Sequence, residues 1–229
     1  MAKLNSNHLE YDENKMYTRL LAQFEALGMS QSIKALTFAR KKHAGATRKS
    51  SGQPYIVHPL LMATIAMSMG FRSDDLFSVI ILHDIVEDTD TSLSDLPVNN
   101  VVKQGVKKMT AEKYEGETKN QTKVRYFHEL LDDKNAIICK ALDRFANLST
   151  MAGEFEPERI KKNVVETDQL LLPILREAKD RYPELAPTIF LLRVMIRSVN
   201  ETLANAYGVE LKGEQLYGGE TTYQNEYQK

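Results

Sequence analysis

Residues 78–91 combine the pattern of a buried helix with polar side chains that are able to hold a metal ion. The apolar positions cover nearly the whole circumference of a helix, which is typical of a helix buried on every side; they are Val79, Ile80, Ile81, Leu82, Ile85 and Val86. His83 and Asp84 interrupt this pattern, and Glu87 and Asp88 follow one turn later, so in a helix the four polar groups share one edge. Because buried charge without a partner is costly, a divalent metal ion is the simplest partner for this group.

A metal site needs ligands from more than one helix, and the predicted set is His58, His83, Asp84 and Asp143. Two imidazoles and two carboxylates leave room for water on an octahedral ion, which favours manganese, iron or magnesium over a closed structural zinc site. Taken singly, each of these residues is better explained as a hydrogen-bonded core histidine or as an ion-paired or capping aspartate than as a metal ligand. The adjacent His-Asp pair inside an apolar helix favours a metal site for the set as a whole.

Two further groups of polar residues accompany the predicted ligands. Asp143, Asn147 and Thr150 are spaced i, i+4 and i+7, so they share one helix face. A basic loop of small residues contains Arg48, Lys49 and Ser50, and this group starts ten residues before His58. Two cations and a hydroxyl are able to bind phosphate, and arginine makes bidentate contacts with it. His43 follows three cations at a helix end, and we interpret it as a C-terminal cap rather than a ligand.

The elements that position these residues are predicted to be helices alone. We find no alternating apolar segment of strand length and no glycine-rich phosphate loop, so we expect an all-α, single-domain bundle of eight to ten helices. Ser30 and Ser73 are predicted to cap two of the helices. Pro157 is predicted to open a long helix, which Pro173 should kink.

Composition narrows the classes of partner. The 229 residues carry 30 basic and 31 acidic side chains, a net charge of −1, which argues against nucleic acid or an anionic membrane as a partner. The lone cysteine, Cys139, suits a reduced compartment and a packing role. No signal peptide or membrane-length apolar stretch is present in the sequence, and we expect a soluble cytoplasmic protein with a small-molecule substrate. The sequence leaves the oligomeric state open.

The same motifs resemble a known family. Residues 38–43, 48–60, 82–89 and 142–147 closely resemble the HD-type hydrolase domain of the RelA/SpoT homologues, and residues 166–173 look like a later helix of that family. The likeness runs from about residue 30 to residue 179, and the chain is similar to the single-domain small alarmone hydrolases. It implies an N-terminal extension with a short helix over residues 1–29, an HD hydrolase domain over residues 30–207 and a polar C-terminal tail over residues 208–229.

The resemblance also implies an activity. It implies an Mn²⁺ ion held by the four predicted ligands and hydrolysis of the 3′-pyrophosphate of guanosine tetra- or pentaphosphate, giving GDP or GTP and pyrophosphate. Glu87 and Asp88 correspond to the acids that position and deprotonate the attacking water. The residues that correspond to substrate contacts are Arg48, Lys49, Ser50, Asn147 and Thr150. Some of these small hydrolases act as antitoxins to toxic alarmone synthetases, and adenosine versions of the alarmone are further candidate substrates.

Two departures from the family pattern are present: one residue is inserted at Ser50-Ser51-Gly52, and Ala146 replaces the histidine usual before Asn147. Two alternative functions have the same ligand pattern. One is an HD-type phosphohydrolase that acts on other nucleotides, such as deoxynucleoside triphosphates. The other is a non-catalytic nucleotide sensor that retains the pocket.

Overall fold

The computed structural model describes residues 12–48, 52–152 and 155–212. Within these residues the secondary structure is helical, and the only extended pairing is an isolated antiparallel bridge between Thr47 and Pro54. The prediction of an all-α fold is confirmed. The described residues contain ten helical stretches when segments that follow each other directly are counted together and the isolated 3-10 turn Leu93–Asp95 is left out, within the predicted eight to ten.

The described residues form two compact units, one that ends at Thr110 and one that begins at Ala111. The first unit contains α1 (Glu13–Ala26), α2 (Ser30–Lys42), α3 (Val57–Ser68), α4 (Asp74–Leu82), α5 (Ile85–Asp88) and α6 (Asn100–Met109). The second contains α7 (Lys119–Glu129), α8 (Lys134–Met151), α9 (Pro157–Glu166), α10 (Leu172–Arg181) and α11 (Ala186–Tyr207). The domain boundaries predicted at residues 29/30 and 207/208 stay predictions.

Helix α4 lies at the centre of the first unit. Every residue of its last two turns, from Leu76 to Leu82, is buried, as the all-round apolar pattern predicted. It packs against α2, α3 and α6, and the ring of Phe77 lies 5.2 Å from that of Phe24 in α1. Ser73 caps the helix by accepting a hydrogen bond from the amide of Leu76 at 3.2 Å, which confirms that prediction.

The predicted cap of α2 is wrong. Ser30 is the first residue of the helix rather than its cap, and Met29, which precedes it, makes no side-chain capping bond. The carboxylate of Asp74 in α4 replaces a local cap, since it accepts from the amides of Gln31 at 3.0 Å and Ser32 at 2.7 Å. A residue from a distant part of the sequence therefore accepts from amides at the start of α2 that have no partner within the helix.

The helix type changes just before Pro173, the residue at which a kink was predicted. A π turn, Thr167–Leu171, joins α9 to α10, and Pro173 occupies the first turn of α10. Proline has no amide hydrogen to donate, and its ring clashes with the carbonyl four residues earlier, so a regular α-helix cannot pass through this point unchanged.

Helix α11 packs against α8, α9 and α10, and Cys139 of α8 is buried as predicted. Among the residues described, no helix is long and apolar enough to span a bilayer.

Candidate metal centre

Three of the four predicted ligands meet in the first unit. One potential ligand atom from each of His58, His83 and Asp84 can be chosen so that all three lie within 4.8 Å of one another. His58 lies in the first turn of α3, whereas His83 and Asp84 follow the end of α4, which packs against α3. Both imidazoles are buried, with exposed fractions of 3% and 2%, and Asp84 is half-buried.

The helix predicted through residues 83–88 is broken at the ligands. Helix α4 ends at Leu82, and α5 begins at Ile85. His83 Nδ1 lies 2.8 Å from the carbonyl oxygen of Ile80, and Asp84 has φ −98° and ψ −2°, a backbone conformation common in turns and active sites. The polar pair therefore does not continue the edge of a regular helix, and this part of the prediction is wrong.

The contacts of His83 define its proton positions. Because a carbonyl oxygen only accepts, Nδ1 carries a hydrogen that it donates to Ile80. Nε2 lies 2.9 Å from Asp84 Oδ2, and His58 Nε2 lies 4.0 Å from the same oxygen. When His83 is neutral with its hydrogen on Nδ1, the electron pair of Nε2 faces an electron pair of Asp84 Oδ2 across 2.9 Å. This arrangement is favourable only with a proton or a cation between the two atoms. The donor set, two imidazoles and a carboxylate, therefore fits a divalent metal ion.

Tyr55 is part of this cluster, and the sequence interpretation missed it. Its hydroxyl donates to Asp84 Oδ2 at 2.5 Å. Burial, and then the charge of Asp84, raise the pKa of Tyr55, so the phenol keeps its proton and remains a donor. Its ring lies 4.8 Å from that of His43 and 6.3 Å from that of His58. The position three residues before His58 was the available signal, but spacing alone does not reveal a hydrogen bond between separate segments.

His43 is a C-cap residue, as predicted, and it is also a wall of the cluster. It lies at the C-terminal end of α2, is 3% exposed, and its ring contacts that of Tyr55 at an angle of 36°. Burial lowers the pKa of His43, and the carboxylates of Asp88 and Asp84 oppose that effect. A neutral imidazole here adds no positive charge beside the candidate cation site.

Backbone hydrogen bonds join the two ends of the basic loop before His58. The amide of Arg48 donates to the carbonyl of Gln53 at 2.8 Å, and the amide of Tyr55 donates to that of Ala46 at 2.9 Å. These bonds join Tyr55 to the strand of the loop that carries Arg48. The predicted substrate contacts Lys49 and Ser50 lie outside the described residues.

The two predicted catalytic acids lie on α5. Glu87 and Asp88 are exposed, and the amide of Asp88 donates to the carbonyl of Asp84 at 2.9 Å. Asp88 is also close enough to Tyr55 to contribute to its raised pKa. The acids are thus attached through the backbone to a candidate ligand, and their catalytic role stays a prediction.

The remaining predicted residues belong to α8 of the second unit. Asp143 is 7% exposed and accepts hydrogen bonds from Lys140 Nζ at 3.0 Å and from Asn147 Nδ2 at 2.6 Å. The contact between Asp143 and Asn147 confirms that they share a helix face. Thr150 donates to the carbonyl of Ala146 at 3.2 Å. The ligand role of Asp143 and the substrate contacts of Asn147 and Thr150 stay predictions.

A buried ion network follows Asp143 in α8. Arg144 is 4% exposed, and its guanidinium donates to Glu166 at 2.5 Å and to Thr167 Oγ1 at 3.1 Å. Lys123 of α7 forms a second ion pair with Glu166. Although burial raises the pKa of Glu166, the charges of Arg144 and Lys123 lower it to about 2.

Fold and site together define an all-α protein with a candidate His-His-Asp metal centre. The sequence pattern of the HD domain matches residues 35–174, more than half of the chain, and the chain belongs to the HD domain family. The predicted resemblance to the RelA/SpoT homologues is confirmed by similar proteins whose names include SpoT and guanosine-3′,5′-bis(diphosphate) 3′-pyrophosphohydrolase.

Two relatives illustrate the likeness. Over 179 residues the chain is 30% identical to a guanosine-3′,5′-bis(diphosphate) 3′-pyrophosphohydrolase of Aquifex aeolicus, an alignment that covers 76% of this chain and 24% of that protein. Over 150 residues it is 31% identical to the bifunctional (p)ppGpp synthase/hydrolase SpoT of Escherichia coli K12, with 61% and 20% covered. The chain thus spans about a fifth to a quarter of the length of these curated relatives.

A solved structure supports the fold. It is described as a metazoan ortholog of SpoT that hydrolyzes ppGpp and plays a role in starvation responses. The alignment has a TM-score of 0.51 and 19% sequence identity, and it covers 79% of this chain and 97% of that chain. At this identity the likeness bears on the fold alone.

Proposed function

We propose that this chain is a metal-dependent hydrolase that removes the 3′-pyrophosphate of guanosine tetra- and pentaphosphate, giving GDP or GTP and pyrophosphate. The observation that carries the proposal is the cluster of His58, His83 and Asp84 in a chain of the HD domain family. The names of its relatives, which include a 3′-pyrophosphohydrolase of guanosine-3′,5′-bis(diphosphate), support the substrate.

The proposed ion is Mn²⁺, since imidazole and carboxylate ligands with room for water suit it. His58, His83 and Asp84 would hold it, and Asp143 enters the proposal as a fourth ligand on the strength of the sequence analysis. When bound, the ion supplies Lewis acidity, which makes water a stronger acid. Tyr55 holds Asp84 in place by donating to Oδ2, and Ile80 holds the ring of His83.

Residues of the chain are assigned to proton transfer, charge compensation and substrate contact. Glu87 or Asp88 accepts the proton of the attacking water, whose oxygen bonds to the phosphorus attached to the ribose 3′ oxygen. The bond between that phosphorus and the 3′ oxygen breaks, and the 3′ oxygen takes up a proton. Arg48 and Lys49 offset the charge of the departing pyrophosphate, and Ser50, Asn147 and Thr150 are proposed as further substrate contacts.

Product analysis tests the proposal. Purified protein is incubated with guanosine tetraphosphate, with and without Mn²⁺ and chelator, and the products are separated by chromatography. We expect GDP and pyrophosphate with Mn²⁺ and unchanged substrate with chelator. Inorganic phosphate or triphosphate released from the 5′ end would point to a general nucleotide phosphohydrolase. Binding without turnover over hours would point to a nucleotide sensor.

Two substitutions separate the ion from the proton acceptor. Asp84→Ala should lose both retained Mn²⁺ and activity while the helix content is kept, because it removes a ligand. Glu87→Ala should keep the ion and lower the rate by about 10²–10⁴-fold, the usual range for a general base. Glu177→Ala, at an exposed position of α10, is the matched control and should change neither quantity. An undiminished rate in Glu87→Ala removes that residue from the mechanism.

We further propose that the adenosine alarmone is a second substrate and that the chain acts as an antitoxin. An adenosine tetraphosphate arm in the product assay tests the first part. Co-expression with a toxic alarmone synthetase tests the second: growth should be restored by the unaltered chain and not by Asp84→Ala. Growth restored equally by both would contradict a role that depends on hydrolysis.

A further inference from the structure

A cavity lies in the second unit, between α10 and α11. Its volume is about 490 Å³, within the range typical of small-molecule sites. The residues that carry the argument are Arg176, Arg193, Arg197, Phe190, Val194 and Asn200. None of them belongs to the candidate metal centre or to the predicted substrate contacts.

Helix α11 presents one face to this cavity. Phe190, Arg193, Val194 and Arg197 follow one another at i, i+3, i+4 and i+7, so their side chains share a stripe. Phe190 is 58% exposed and Val194 is 49% exposed, although both are large and apolar. The opposite stripe is buried, so the helix combines a packed face with an aromatic and basic one.

Asn200 supplies a buried acceptor at the cavity. The residue is 1% exposed, and its Nδ2 donates to the carbonyl oxygen of Val164 at 3.2 Å. Since a carbonyl only accepts, this bond fixes the amide orientation and leaves Oδ1 as the group still to be satisfied. In the part of the chain that the structure describes, no donor reaches Oδ1. Buried polar atoms are nearly always paired, so this acceptor indicates a donor beyond the described residues.

The charges around the cavity favour an anion. Three guanidinium groups line it together with two carboxylates, those of Asp168 and Glu201, which leaves one positive charge in excess. Asp168 accepts from the amide of Lys212 at 3.1 Å. A guanidinium has five N–H donors, so an arginine that pairs with a carboxylate is still able to bind a phosphate.

We propose that this cavity binds a small phosphorylated metabolite of the nucleoside phosphate class. The phosphate groups lie against Arg176, Arg193 and Arg197, an N–H or O–H group of the base or sugar donates to Asn200 Oδ1, and the base packs on Phe190. Inorganic phosphate and pyrophosphate carry no base, so they satisfy the arginines alone. The site is separate from the proposed hydrolase function and does not depend on it.

Calorimetric titration of the full chain with ADP, GDP and inorganic pyrophosphate, all in the presence of chelator, tests the proposal. We expect saturable binding of at least one nucleotide at millimolar or lower concentration and about tenfold weaker binding of pyrophosphate. Pyrophosphate that binds as tightly as both nucleotides would overturn the assigned class. No saturable nucleotide binding would overturn the site itself.

Substitutions locate the bound nucleotide. Arg197→Met and Phe190→Ser alter exposed side chains and should each weaken binding by about tenfold, since each removes one major contact. Asn200→Leu should weaken it as well. Arg159→Met, whose guanidinium stacks on Phe155 at 3.8 Å outside the cavity, should leave it unchanged, as should His58→Ala. Binding that is lost in His58→Ala and kept in Arg197→Met would place the nucleotide at the metal centre and reject the proposal.

Discussion

The hydrogen bond from Tyr55 to Asp84 is the contact that most directly controls the candidate metal centre at the scale of single residues. The bonded oxygen, Oδ2, is the same atom that faces His83 Nε2 at 2.9 Å. A phenol that donates to a ligand oxygen orients the carboxylate and leaves its other electron pairs available for an ion. Tyr55 is itself held by the contact of its ring with that of His43 and by the backbone bond to Ala46.

Replacing Tyr55 with phenylalanine should weaken Mn²⁺ binding by about 10–100-fold, the usual effect of removing a group that orients a ligand. Isothermal titration with Mn²⁺ measures this without reference to activity. Tyr17→Phe is the matched control, because the contact of the Tyr17 hydroxyl with Thr37 is exposed and long, at 3.5 Å. Equal Mn²⁺ affinity in the two variants would show that the bond to Asp84 does not position the ligand.

At the scale of elements, the start of α2 depends on a carboxylate from another helix. Asp74 accepts from two amides at the beginning of α2, and the hydroxyl of Ser32 also donates to it at 2.6 Å. The contact joins α2, whose C-terminal end carries His43, to α4, whose end leads into His83. One side chain thus fixes the relative position of two helices that border the metal centre.

Asp74→Ala should lower the free energy of unfolding by about 2 kcal/mol, since several buried donors lose their acceptor. Asp12→Ala is the control: Asp12 caps α1 through one bond, from Lys15 at 2.9 Å, and its loss should cost about 1 kcal/mol. Urea denaturation followed by circular dichroism compares the two. A smaller loss for Asp74→Ala than for Asp12→Ala would argue against the capping role.

Local patterns predicted the helices well because burial and capping leave periodic signals in the sequence. They identified α4, its Ser73 cap and an irregularity near Pro173. They failed at the start of α2, where a tertiary contact from Asp74 replaces a local cap, and at His83, where the helix ends and the ring bonds to the carbonyl of Ile80. His58, His83 and Asp84 were predicted from their residue types and resemblance, whereas Tyr55 depends on a hydrogen bond that only the folded chain forms.

At the scale of the whole molecule, the buried network around Glu166 makes folding depend on pH. The pKa of Glu166 is lowered to about 2 in the folded chain, below the ordinary value of 4.5. The folded state therefore binds fewer protons than the unfolded state between these values, and stability is lost as the pH falls from about 4.5 towards 2. Burial lowers the pKa of Lys123 despite the nearby carboxylate, so part of the gain at Glu166 is offset by the cost of burying the ammonium group.

Glu166→Gln isolates this contribution, because glutamine keeps the size of the side chain but does not titrate near pH 4. The variant should be less stable than the unaltered chain at pH 6, by on the order of 2 kcal/mol, and the difference should shrink as the pH falls below about 4.5. Thermal unfolding at pH 6, 5, 4 and 3 measures it. A difference that stays constant across this range would show that the folded and unfolded pKa values of Glu166 are alike.

The backbone bonds that join the two ends of the loop before α3 affect which changes in loop length the protein tolerates. The backbone bonds between Arg48 and Gln53 and between Ala46 and Tyr55 hold Tyr55 through residues on both sides of the segment 49–51 in the chain. A change of chain length between Arg48 and Gln53 leaves both bonds available, so we expect it to leave Tyr55 in place. The hydrogen bond from Tyr55 to Asp84 is therefore compatible with length variation in this segment, whereas a change between Tyr55 and His58 would shift the tyrosine relative to the candidate ligands.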